Sequence, residues 1–163
     1  ASIGAMSAQN IGAGREERAV QTMKVGMVTS FCLSVVVFVL ASVFPAQILR
    51  LFADDEAMIA EGMLYLKTFK FNYLFASLWF SFNGLFIGSG HTKFSLFNGM
   101  MASILIRVPV AYLVGIVWQN GLSGVGMGGP VASFIGALNG LLFFLSGRWR
   151  RPTVLKDKEK LSV

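Results

Sequence analysis

Charge is what this chain has least of. Only 13% of its 163 residues are Asp, Glu, Lys or Arg, about half the share usual in soluble domains. Not one carboxylate occurs from Val25 to Leu49 or from Phe71 to Gly147. Stretches so poor in charge exclude a soluble fold and any chemistry built on paired acids within them. The single cysteine, Cys32, lies inside an apolar run, so neither a disulfide framework nor a metal cluster is expected. The single histidine, His91, sits in a polar turn beside Lys93. No nucleophile and base are placed to cooperate, so no catalytic residue, no metal site and no enzyme activity are expected.

What is abundant is hydrocarbon: 55% of residues are hydrophobic, and the mean hydropathy is +0.65. A bilayer core about 30 Å thick needs about 20 apolar residues in a helix. This predicts an all-α integral membrane protein with four transmembrane helices, at about 20–47, 68–89, 94–118 and 130–147, plus the tail of a preceding helix. The first includes the uncharged run Val25–Leu49, with Pro45 near its far end. Ala53–Lys70 carries four acids and two lysines and reads as an interfacial helix leading into the second span. The third is interrupted by Arg107 and Pro109, and the segment NGLSGVGMGG that follows reads as a glycine-dense turn. Pro130 suits the first turn of the last span, which the cluster Arg148–Arg151 stops.

The formal net charge of +6 is spread over the ends of apolar runs instead of one stripe, which excludes a nucleic-acid surface. With four spans, ten of the fourteen Lys and Arg fall on one face, among them Arg15, Arg18, Lys24, Lys93 and Arg148. By the positive-inside rule that face is cytoplasmic, with the basic tail 152–163, and the acids Asp54–Glu61 face out of an inner or plasma membrane.

The stretch AQNIGAGREERA, Ala8–Ala19, precedes the first span. Gly12 and Gly14 suit a sharp turn, Glu16 and Glu17 the start of a helix, and Arg15, Arg18 and Lys24 a lipid leaflet. A dinucleotide loop is excluded, because a 25-residue uncharged span follows in place of a βαβ unit. The chain opens Ala-Ser-Ile-Gly-Ala-Met, with no initiator methionine or basic leader, and reads as the continuation of a helix begun upstream.

Gln9-Asn10-x-Gly12-Ala13-Gly14-x-x-x-Arg18-Ala19 resembles the Q-N-x-G-A-G-x-x-x-R-A signature of the multidrug and toxic compound extrusion (MATE) family. Gly84–Thr92, the segment Arg107-Val-Pro109-Val-Ala-Tyr112-Leu and the run NGLSGVGMGGP are similar to later segments of the same family. The resemblance implies a twelve-span transporter in two six-helix lobes, of which residues 1–151 match the end of the eighth span through the twelfth, a partial C-terminal lobe. It further implies multidrug efflux: export of small-molecule organic cations and other amphipathic compounds by antiport with Na⁺ or H⁺. The partners implied are the lipid bilayer and the missing N-terminal lobe of the same protein. Some members carry a carboxylate in the helix matching the second span, and this chain does not, so its coupling-ion site is expected outside this fragment and the fragment is expected to be inactive alone. The alternative is a small four-span structural or assembly membrane protein without transport.

Asn72, Trp79 and Asn83 fall on one face of the second span. They read either as a substrate-cavity wall, the indole meeting a cation, or as interhelical hydrogen bonding. Arg107, the one charge within a span, costs about 2.5–3.5 kcal/mol if it faces lipid at the centre. It is therefore either a gating or cavity charge, or a packing residue that caps carbonyls freed by Pro109. Ala132, Gly136 and Gly140, like Gly84 and Gly88, recur every four residues and mark close helix packing.

Overall fold

The computed structural model describes residues 2–150. The tail 152–163 and Arg151 lie outside the described residues. Nine α-helices, two π segments and one 3₁₀ turn account for nearly all of the described chain, with no strand among the described residues. The protein is an all-α membrane protein. Three helical stretches are long and apolar enough to cross a bilayer: Glu16–Val43, Thr92–Val117 and Gly121–Leu145, with mean hydropathies of 2.3, 2.0 and 1.6.

Helix α1 (Ser2–Gly12) turns directly into α2 (Glu16–Val43), the first span. That span stops four residues short of the expected end, because Phe44 (φ −122°, ψ 44°) precedes Pro45 and the pyrrolidine ring disfavours α geometry in the residue before it. Pro45 instead starts the short α3 (Pro45–Arg50). Asp55 caps α4 (Glu56–Phe69), accepting the Ala57 N–H at 2.8 Å, and Lys70 separates α4 from α5.

Helix α5 (Phe71–Gly88) falls where the second span was expected, though it is not among the three stretches above, and it is the centre of the bundle. Its 18 residues reach about 27 Å at 1.5 Å each. It carries Asn72, Ser77, Ser81 and Asn83, which neighbouring helices partly enclose. It packs against α1, α2 and α9 (Gly128–Leu145).

The third span joins α6 (Thr92–Met100), a π segment (Met101–Arg107), α7 (Val108–Tyr112) and a second π segment (Leu113–Val117). Pro109 lacks an N–H and crowds the preceding turn, and widening that turn to π spacing is one way a helix runs through such a residue.

The glycine-dense segment is not the expected turn. Only Gln119 (φ 55°) and Gly121 (φ 58°) turn the backbone. Gly121–Gly126 is helical, α8, and continues nearly without a break into α9. Its glycines serve proximity: a Cβ at Gly124 would lie 2.5 Å from the Val114 carbonyl oxygen. Thr68 Oγ1 of α4 donates to the Ser123 carbonyl at 2.6 Å, and Ser123 Oγ donates to the Leu64 carbonyl at 2.9 Å. Side chains larger than glycine would hold these backbones apart.

Candidate functional site

The signature stretch forms the joint between α1 and α2. Gly14, at φ +72°, is the one residue there in left-handed geometry. The Gly14 N–H donates to the Ile11 carbonyl at 2.9 Å and the Arg15 N–H to the Asn10 carbonyl at 2.8 Å, which is a Schellman ending to α1. Gly12, expected to share in the turn, is helical and has open space around its missing side chain. Asn10 Nδ2 donates to the Met6 carbonyl at 2.8 Å and reaches Thr22 Oγ1 at 3.5 Å, tying α1 to α2. Gln9 and Arg18 are exposed, whereas Ala19 is fully buried. A groove of about 550 Å³ runs between the two helices and is lined by Met6, Asn10, Arg18, Thr22 and Val25.

Ala19 lies in a buried cluster with Met23, Phe82, Leu85, Phe86 and Trp149. Phe94 stacks on Phe143 at 3.9 Å between ring centres, His91 meets the edge of Phe143, and Trp149 stacks on Phe144. This aromatic cluster gathers the α1–α2 joint, the Ser89–His91 turn and the end of α9 at one end of the bundle. Arg15, Arg18, Lys93, Arg148 and Arg150 therefore share that end. The acidic α4 and its bonds to α8 occupy the other, where Arg50 pairs with Glu56 at 2.8 Å.

The expected polar face of α5 is enclosed between helices. Asn72 Oδ1 accepts from Ser133 Oγ of α9 at 2.6 Å, and Asn83 Oδ1 accepts from Ser95 Oγ of α6 at 2.8 Å. Trp79 lies against Gly136, where a Cβ would fall 2.8 Å from the indole, and its buried Nε1 has no hydrogen-bond partner. The ladder Ala132, Gly136 and Gly140 is thus the surface on which α5 rests. On the other side of α5, Gly84 and Gly88 admit α1 at Gly4 and Ser7.

Asn98 and Asn139 are functional-site residues that the expected polar face of α5 does not include. Asn98, 2% exposed, donates through Nδ2 to the Gly136 carbonyl at 3.0 Å, and Asn139 Nδ2 reaches Asn98 Oδ1 at 3.4 Å. The signal that could have found them was an amide inside an otherwise apolar run, the same signal that marked Asn72 and Asn83. Arg107 is exposed, and its guanidinium lies 5.9 Å from the centre of the Phe69 ring. No hydrogen bond from it to a carbonyl occurs among the described residues, so the expected capping around Pro109 is replaced by an aromatic contact from α4.

Comparison with known proteins agrees with the signature. The chain is 28% identical over 144 residues to the probable multidrug resistance protein NorM of Thermotoga maritima, covering 88% of this chain and 31% of the relative. It is 27% identical over 156 residues to the probable multidrug resistance protein YpnP of Bacillus subtilis, covering 96% of this chain and 35% of the relative. The chain therefore spans about a third of the length of these curated relatives. No solved structure matches it. The model of the MatE family matches residues 1–113, well over half of the chain, and with the joint at Gly14 and the helices on either side of it inside that match, the chain belongs to the MatE family.

Proposed function

We propose that this chain is the C-terminal part of a multidrug exporter, contributing most of one lobe of a longer transporter. The observation that carries the reading is the family match, joined to two relatives whose names both denote multidrug resistance. Residues 1–151 are read as the partial lobe and 152–163 as a basic cytoplasmic tail. The basic end of the bundle faces the cytoplasm of a cell membrane, as the positive-inside rule requires of so many clustered cations.

In this reading the α5–α9 seam forms one wall of the substrate path. The half-buried Trp79 presents its indole face to an organic cation, the amide NH₂ groups of Asn72 and Asn83, whose oxygens Ser133 and Ser95 hold, orient it, and Arg107 with Phe69 lies where the lobe meets water or the other lobe. Export runs against an inward Na⁺ or H⁺ gradient. With no carboxylate between Phe71 and Gly147, the coupling acid belongs to the rest of the protein, and this part alone transports nothing.

The test is efflux of a cationic dye from proteoliposomes holding the full-length protein, under imposed Na⁺ or proton gradients. Gradient-driven efflux that falls about tenfold in Trp79→Ala, at unchanged protein yield, supports the reading. Wild-type protein that moves no cationic dye under either gradient contradicts it.

A further inference from the structure

Between α6 and α9, at the basic end, lies a cleft of about 330 Å³ that nothing in the transport reading uses. Its shoulders are apolar and outward: Phe97 is 66% exposed and Leu142 57%. Its floor is polar, formed by Asn98 and Asn139, and its mouth carries Ser146 and Arg148. The first π segment begins at Met101 on the cleft wall, where the wider helical turn changes how α6 lies against α9.

Two polar groups of this cleft are under-used, the Asn139 amide and the Arg148 guanidinium, whereas Ser146 Oγ already donates to the Phe143 carbonyl at 2.7 Å and Asn98 Nδ2 to the Gly136 carbonyl. Asn139 directs its NH₂ to Asn98 Oδ1 at 3.4 Å and to the Met101 sulfur at 4.0 Å, both long. Its amide oxygen has no partner among the described residues. Arg148 forms no ion pair among the described residues, where the one salt bridge is Arg50–Glu56 at the opposite end. An apolar trough with amides in its floor and a guanidinium at its mouth matches one kind of molecule, an amphiphile with a hydrocarbon tail and an anionic head. At a bilayer surface the abundant molecule of that form is a phospholipid, and basic pockets between membrane helices bind such headgroups.

We propose that the α6–α9 cleft binds an anionic phospholipid, with its phosphate on Arg148, its headgroup hydroxyls on the Asn139 amide, and one acyl chain between Phe97 and Leu142. The proposal requires that the basic end lie at a bilayer surface, and it is independent of transport and of which side is cytoplasmic. Dye efflux without lipid retention would overturn the lipid site and leave the exporter reading intact, and the reverse outcome would do the opposite.

The test is native mass spectrometry of the full-length protein in mild detergent, with dioleoylphosphatidylglycerol or dioleoylphosphatidylcholine added. Wild-type protein should retain the glycerol lipid preferentially. Arg148→Gln should lower that retention about fivefold, the worth of one cation near a charged headgroup, and Lys24→Gln, at the same end but outside the cleft, should leave it unchanged. Equal losses in the two variants, equal retention of both lipids, or displacement by excess glycerol 1-phosphate would each overturn the proposal. Should Arg148→Gln fail to fold, Leu142→Trp serves as a reporter, read as the fluorescence it adds to that of Trp79, Trp118 and Trp149 in the wild type. That added fluorescence should be quenched more by brominated phosphatidylglycerol than by brominated phosphatidylcholine, and equal quenching would overturn the site.

Discussion

Helices α2 and α9 are both apolar enough to cross a membrane, yet they meet their surroundings in opposite ways. The most apolar stretch of α2 has a mean hydropathy of 2.3, with 6% of its residues buried; the α8–α9 stretch is less apolar, at 1.6, with 44% of its residues buried. The more hydrophobic helix is the more exposed one. Among membrane helices this is no paradox: lipid tails are as apolar as valine, so hydrophobicity alone does not draw a helix inward, and the outward side chains of α2 are left for lipid or for the remainder of a protein as long as its relatives. What draws α9 inward is smallness and hydrogen bonding. Gly136 and Gly140 receive Trp79 and Phe82, while Ser133 and Asn98 bond across the seams. Val35, Val36, Val39 and Leu40 of α2 offer only bulk, and all are exposed.

The largest effect should come from exchanging these characters. Gly136→Leu on α9 must displace Trp79, and overpacking of that kind costs about 3 kcal/mol. Val36→Leu on α2 should cost less than about 0.5 kcal/mol. Unfolding of the purified protein in detergent measures both, and equal losses would break the comparison.

Next in size, Asn98→Leu removes the bonds to Gly136 and Asn139 and should cost about 1–2 kcal/mol in the same assay. A neutral or stabilising result would show that volume alone holds the α6–α9 seam.

The joint at the foot of α2 sharpens the contrast between glycines held by neighbours and glycines held by backbone shape. Gly14→Ala forces a left-handed alanine and should cost about 1 kcal/mol. Gly12→Ala, helical and uncrowded, should gain about 0.5 kcal/mol. Matching losses at the two positions would mean that the signature glycines share one role.

Smallest is Ser133→Ala, which deletes the bond to Asn72. Single bonds between membrane helices are worth about 0.6 kcal/mol, so only a slight fall in the unfolding midpoint is expected.

Much of this was legible from the sequence, because membrane helices announce themselves by composition. The uncharged runs marked where helices lie, three of them long and apolar enough to cross a bilayer, and the stretch at Gln9–Ala19 marked a joint and a family. What was not legible has particular physical causes. The segment NGLSGVGMGG read as a turn because glycine is flexible, but its helical glycines answer to neighbours such as Val114 and Thr68 that are far along the chain. The π segments depend on how the helix is packed around Pro109, which no local pattern reports. For the candidate site, the shared face of Asn72, Trp79 and Asn83 was visible from helical spacing. Their partners Ser133, Gly136 and Ser95 were not, because choosing among several serines and glycines requires the helix packing itself. Arg107 was conspicuous as a lone charge, and its contact with Phe69 was hidden for the same reason.

The central claim, that within this part of the protein α9 is the inner helix and α2 the outward one, is tested most directly by spin-label scanning of this chain with oxygen as the collision partner. Cys32, exposed on α2, supplies one site, and single cysteines in a Cys32→Ser background at 33, 35 and 36 supply others. Cysteines at 137, 138, 139 and 141 scan α9. Oxygen accessibility should stay high at all four α2 positions, and along α9 it should peak at Leu138 and Leu141 and fall at Ala137. Uniform accessibility along α9, or accessibility at the α2 positions as low as at Ala137, would contradict the account.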